Sequence, residues 1–116
     1  MECNLLFTTT FHRIRMNELW NFYLGDSLEL YDISPNGELK IVTLGHDLLN
    51  GEISTYVFPK GHWIAAKPKE SSLFSFVSCV TCPGFTFDDW EEGNRQELLQ
   101  KYPHLKDTIL MFTKDK

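Results

Sequence analysis

Apolar and polar residues alternate along most of this chain, and that period of two predicts strands rather than helices. Trp20 and Phe22 alternate with Asn21 and Tyr23, so one pair faces inward and the other outward. Short runs rich in Val, Ile, Phe, Tyr, Trp and Thr recur at a spacing of about 8–12 residues, divided by Gly, Pro, Asn and Asp. They read as strands over Asn4–Ile14, Glu18–Gly25, Ser27–Ser34, Leu39–Gly45, Ile53–Pro59, His62–Pro68 and Leu73–Thr81. Ser34–Glu38 reads SPNGE, a hairpin signal, because Asn36-Gly37 tolerates the positive φ of a tight turn. After Pro83 the period changes. Leu98, Leu99 and Tyr102 follow a helical spacing, Asn94 can cap a helix reaching about Lys101, and Pro103 stops it. A second short helix is expected from Pro103 to about Met111. The plan is a run of strands with a helical tail, of the sandwich or small-barrel kind.

Composition adds bounds. A chain of 116 residues suits a single domain, 1–116. The 42% hydrophobic and 23% charged residues are ordinary for a globular protein, but aromatics reach 14%, with nine Phe and three Trp. That surplus suits an aromatic core or an aromatic-lined pocket or interface. With a net charge of −5 and no basic stripe, nucleic acid is not an expected partner. No apolar run approaches the ~18 residues of a membrane span. The first residues carry an acid and no base, a poor fit to a secretory leader. Cys79 and Cys82 form a C-x-x-C, but no second pair completes a zinc site. Three reduced cysteines in a cytoplasmic protein are the simpler reading.

Phe11–Gly25, FHRIRMNELWNFYLG, is where chemistry concentrates. It reads as strand, turn at Arg15-Met16-Asn17, and returning strand. His12 and Ile14 share a face, and Glu18, Trp20 and Phe22 share another. The spacing is His12-x-Ile14-x3-Glu18-x6-Gly25.

That spacing resembles the first motif of the cupin superfamily, G-x5-H-x-H-x3,4-E-x6-G, with Ile14 in place of the second histidine and Leu6 in place of the leading glycine. Pro59 and Gly61 resemble the second motif, with Ile64 at its histidine and Pro68 at its asparagine. The similarity is greatest to the DUF985, or cupin-5, branch, whose biochemical role is undefined. FHRIRMNELWNFYLGDSLEL, LGHDLLNGE, VFPKGHWIAA, FSFVSCVTCPGFTFDDWE and LLQKYP carry it, from about Phe11 to Tyr102. The chain departs from the branch at Asn17-Glu18 and Trp20-Asn21. It also starts late, as a shortened form or one whose missing edge a partner subunit supplies. The resemblance implies an all-β fold, the cupin double-stranded β-helix (an RmlC-like jelly-roll barrel), with C-terminal helices and homodimers.

By the same resemblance a cupin metal takes three imidazoles and one carboxylate. Only His12 and Glu18 remain here, so neither metal nor cofactor is expected. His62, two residues before Ile64, is expected to face away from the pocket, and His46 to lie in a turn. The resemblance implies a small polar ligand, nucleotide or sugar-nucleotide like. His12 and Glu18 either seal a pocket floor by hydrogen bonding or act as an acid–base pair. In the second case His12 resembles the base of metal-free cupin epimerases, with Tyr23 or Tyr56 as acid. A metal-dependent oxygenase is a third, weaker alternative. The candidate catalytic residues are therefore His12, Glu18 and Tyr23. The candidate ligand-binding residues are His12, Glu18, Trp20, Phe22, Tyr56 and Trp63. Trp20 and Trp63 read equally as core, Cys79 as packed within a strand, and Arg13 as a salt-bridge partner. Asp88, Asp89, Glu91 and Glu92 read as a solvated acidic face leading into a helix.

Overall fold

The computed structural model of the chain describes residues 2–5, 11–14, 17–69, 74–82 and 90–113. Among them run nine strands: β1 (Glu2–Leu5), β2 (His12–Ile14), β3 (Asn17–Gly25), β4 (Leu28–Ile33), β5 (Leu39–Leu44), β6 (Thr55–Phe58), β7 (Trp63–Pro68), β8 (Ser75–Cys82) and β9 (Trp90–Glu92). Helices α1 (Arg95–Lys101) and α2 (Lys106–Met111) close the chain. The strands form two sheets, ordered β1-β8-β3-β6 and β5-β4-β7-β2-β9, with antiparallel pairing. This is the jelly-roll plan of a cupin.

The two sheets face each other over a shared core. Trp20, Phe22, Phe58, Val77 and Cys79 come from the first sheet, and Leu28, Leu30, Leu44, Ile64 and Ala66 from the second. A second core lies on the other side of the second sheet. There Tyr31, Ile33, Trp63 and Ala65 meet Leu98, Tyr102, Ile109 and Phe112 of the helical tail. Strand β4 is therefore covered on both faces, which explains why Tyr31 and Ile33 interrupt its expected polar face.

The strand expectations hold for most segments, with two differences. His12–Ile14 and Asn17–Gly25 do not pair as a hairpin. β2 pairs with β7 and β9 in one sheet, and β3 pairs with β6 and β8 in the other. A short connection between opposed sheets has the same sequence appearance as a hairpin turn. Trp90–Glu92 is also a strand rather than a helix lead, because β2 needs a second partner. There Arg13 Nε donates to Glu91 Oε1 at 3.0 Å. Leu6, Arg15, Met16 and the stretch 83–89 with its acidic Asp88 and Asp89 lie outside the described residues.

The SPNGE turn joins β4 to β5 as expected, with Gly37 at φ +87°. A β-carbon there would sit 2.8 Å from the Tyr102 ring, so both backbone and packing demand glycine. Tyr102 Oη donates to Pro35 O at 2.9 Å, and His104 Nε2 lies 2.7 Å from Gly37 O. The helical tail thus clamps the hairpin tip. Asn94 caps α1 by accepting from Glu97 N at 3.0 Å. Pro103 opens a single 3-10 turn, Pro103–Leu105, before α2 begins, so the expected second helix is two pieces.

Phe112 anchors the tail, its ring 5.2 Å from Phe11 and 4.5 Å from Tyr31, centroid to centroid. Phe112→Ala should cost about 3–5 kcal/mol of unfolding free energy in urea titration. A loss under about 1 kcal/mol would contradict a packed second core.

Candidate functional site

Period-two alternation sends Glu18, Trp20 and Phe22 inward from β3. Glu18 is only 5% exposed, and its Oε1 accepts from Trp20 Nε1 at 2.6 Å. Burial raises its pKa above the ordinary 4.5, and the indole hydrogen bond and the charge of His12 offset this only in part. His12 lies on β2 of the opposed sheet.

In that second sheet His12, Ile64, Asp32 and Lys40 are cross-strand neighbours in one row. Their side chains share a face of the sheet. Ile64, 1% exposed, fills the middle. Asp32, 4% exposed, carries a carboxylate answered on both oxygens. Tyr56 Oη donates to Oδ2 at 2.6 Å, and His62 Nδ1 lies 2.7 Å from Oδ1. Tyr56 belongs to β6 of the first sheet and His62 precedes β7 of the second, so this carboxylate ties the sheets together. Burial, with the Asp32 hydrogen bond and charge, pushes the Tyr56 phenol well above its usual range. Asp32, His62, Ser34, Glu38, Leu39 and Lys40 line a half-open recess of about 170 Å³. Lys40 Nζ stands 5.5 Å from the Tyr56 ring centroid.

The interior is therefore graded. One end gathers Glu18, His12, Tyr56, Asp32 and His62; the other is filled by Phe22, Leu28, Leu44, Ala66 and Val77. Of the expected site residues, His12, Glu18, Trp20 and Tyr56 come together at the polar end. Phe22 faces inward but packs at the apolar end, edge-on to His46 at 4.8 Å. Tyr23 does not join them: it is one residue out of phase with Phe22, 46% exposed on the outer face and 5.8 Å from Phe76. Trp63 is likewise out of phase with Ile64. It is buried among the tail residues with Arg13 Cζ 4.6 Å from its ring centroid, not at the barrel mouth. Cys79 packs in the shared core as expected.

Three residues at this end escaped the sequence reading. Asp32 looked like one polar position of a strand, although its spacing from Leu28 and Leu30 puts it on the inward face. His62 was expected to face away, but a residue two before Ile64 shares its side of the strand. Lys40 gave no signal beyond its place after the turn.

A family model described as "Cupin superfamily (DUF985)" matches residues 7–92. The chain belongs to the DUF985 family of cupins. It is similar to a crystallised protein from Shewanella oneidensis, at 37% identity and TM-score 0.93, over 99% of this chain and 73% of that one. A hypothetical protein from Leishmania major matches at 23% identity and TM-score 0.85, over 98% and 77% of the two chains. A dTDP sugar isomerase from Desulfovibrio desulfuricans shares the fold at 16% identity and TM-score 0.70, over 81% and 62%. No curated protein matches the chain.

A cupin metal does not fit this DUF985 chain. Ile64 puts hydrocarbon directly opposite His12 where an imidazole is needed, and Ile14 has no lone pair to offer. Among the described residues no three His, Cys, Asp or Glu side chains converge on one point.

The buried Glu18 carboxyl has a measurable consequence. Its folded state holds a proton more tightly than the unfolded chain, so it favours folding at low pH, and that contribution is lost as pH rises from about 4.5 through the raised pKa. Glu18→Gln should remove this loss, becoming more stable relative to wild type as pH rises across that window in urea titrations. A wild-type-to-variant difference that is flat in pH would contradict burial as the cause.

Proposed function

We propose that this cupin binds a small polar ligand, of nucleotide or sugar-nucleotide character, at the polar end of its barrel without a metal. The carrying observation is the graded interior, which presents titratable groups and hydrogen-bonding partners at one end and hydrocarbon at the other. Small-molecule sites have this form, a largely apolar wall with a few placed polar groups. The likeness to a dTDP sugar isomerase and, at TM-score 0.60, to a 3,4-ketoisomerase from Helicobacter canadensis shows fold alone, yet the ligand class named there suits these groups. A second reading is isomerisation of such a ligand, with His12 as base. What supports it is the buried Glu18 carboxyl, raised in pKa by burial with the His12 charge acting against that rise. A metal-dependent oxygenase, the weaker alternative, needs a donor set that the described residues do not bring together.

The reading extends to a homodimer in the cytoplasm. Leu19 and Val57 stand opposite each other on the outer face of the first sheet, beside Tyr23 and Leu24, and Val57, Tyr23 and Leu24 are exposed. The helical tail covers the other sheet instead.

Purified protein should contain iron, manganese, nickel and zinc far below one atom per chain by elemental analysis. A stoichiometric metal lost in His12→Ala would overturn the metal-free reading. Light scattering should give about twice the 13.5 kDa of one chain. A mass of one chain at micromolar concentration would overturn the dimer.

A further inference from the structure

We propose that His62, held by Asp32, is the proton-transferring residue of this barrel. The matching substrate is a hydroxycarbonyl compound whose carbonyl and hydroxyl carbons exchange roles. The proposal rests on the ligand-binding reading above and names the reacting residue and the substrate class.

The hydrogen bonds at Asp32 assign the proton on His62. An ionised carboxylate only accepts. With Tyr56 Oη donating to Asp32 Oδ2, the 2.7 Å contact at Oδ1 requires His62 Nδ1 to carry its proton. In the neutral ring that leaves a lone pair on Nε2. Among the described residues no partner occupies Nε2, the side chain is 21% exposed, and it lines the recess. Asp32 is also placed to offset the charge of the imidazolium that forms when Nε2 takes a proton. A base within reach of substrate, oriented by a buried carboxylate, is the arrangement that general base catalysis requires.

The neighbouring groups fix what such a base can do. Tyr56 has its hydroxyl proton committed to Asp32, and its pKa is pushed up, so it positions the carboxylate rather than donating to substrate. Glu18 takes its short hydrogen bond from the Trp20 indole. His12 lies beyond Ile64 from Asp32 and does not line the recess, so His62 is the base that a substrate there meets. One base acting alone returns a proton to the face from which it was taken. That fits transfer between adjacent carbons and does not fit inversion at one carbon, which needs a donor on the opposite face.

In the step, the C–H bond of the hydroxyl-bearing carbon breaks and an Nε2–H bond forms. The electron pair moves through the new C=C bond to the carbonyl oxygen, giving an enediolate. The hydroxyl proton passes to that oxygen, and Nε2 returns its proton to the former carbonyl carbon. No oxidant, reductant or second substrate enters. Lys40, the cross-strand neighbour of Asp32 at the rim of the recess, supplies the cation for the oxygen that becomes negative.

The test incubates the full chain with a dTDP-linked 4-keto hexose in D2O and follows the sugar by NMR, with saturation transfer reporting binding. Wild type should place deuterium at the carbon next to the carbonyl. His62→Ala should lose at least about 100-fold in exchange rate, keep binding, and regain part of the rate on addition of free imidazole. His62→Asn keeps a donor facing Asp32 without a basic nitrogen; it should fold and bind yet not exchange. Asp32→Asn should shift the pH profile of exchange. Binding without exchange, or exchange unchanged in His62→Asn, overturns this proposal and leaves the ligand reading standing. Absence of binding to the wild type overturns both.

Discussion

A carboxylate at 4% exposure inside a β-barrel persists only if its oxygens are answered, and much of this molecule is arranged around answering those of Asp32. One partner comes from each sheet: Tyr56 from β6, His62 from the approach to β7. Dispersion and apolar burial hold the two sheets together at the floor, where Phe22, Leu28, Leu44 and Val77 meet. At the polar end Trp20, Phe58 and Ile64 continue that core, and the Tyr56–Asp32–His62 bridge adds a hydrogen-bonded tie between the sheets. Removing one partner would leave a buried charge half-answered, a change that typically costs about 3–5 kcal/mol. The same bridge that closes the fold fixes a histidine tautomer at the edge of a recess.

The helical tail serves this end at a distance. Tyr102 and His104 hold the Ser34–Glu38 turn, and Arg95 donates to Leu110 O and to Thr113, binding α1 to the end of α2. The turn leads directly into Glu38, Leu39 and Lys40, half the lining of the recess. Packing in the second core thereby sets the position of a cation near Asp32. Ile64 is the complementary constraint. Between His12 and Asp32 it separates two polar pairs that would otherwise be one cluster.

Much of the fold was legible because strand period and turn chemistry are local properties. The Asn36-Gly37 turn, the cap at Asn94 and the break at Pro103 each depend on a few adjacent residues. What stayed hidden was non-local. Whether His12–Ile14 and Asn17–Gly25 pair or face each other depends on partners β7, β8 and β9, far away in the chain. The site was half legible for the same reason. Glu18, Trp20 and His12 fall in one motif, so spacing found them. Tyr56 was expected on its own, but Asp32 on β4, Tyr56 on β6 and His62 just before β7 meet only through sheet register. Tyr23 and Trp63 show the opposite error, since an aromatic beside a motif residue points away from it by strand alternation.

Everything proposed for this end depends on Asp32 holding His62 with Nδ1 protonated and Nε2 available to the recess. Long-range 15N–1H correlation of the imidazole nitrogens at neutral pH tests it most directly. His62 should show a signature in which Nδ1 bears the proton and Nε2 does not, lost in Asp32→Asn. A ring protonated at Nε2 alone, or a signature unchanged in Asp32→Asn, would contradict it.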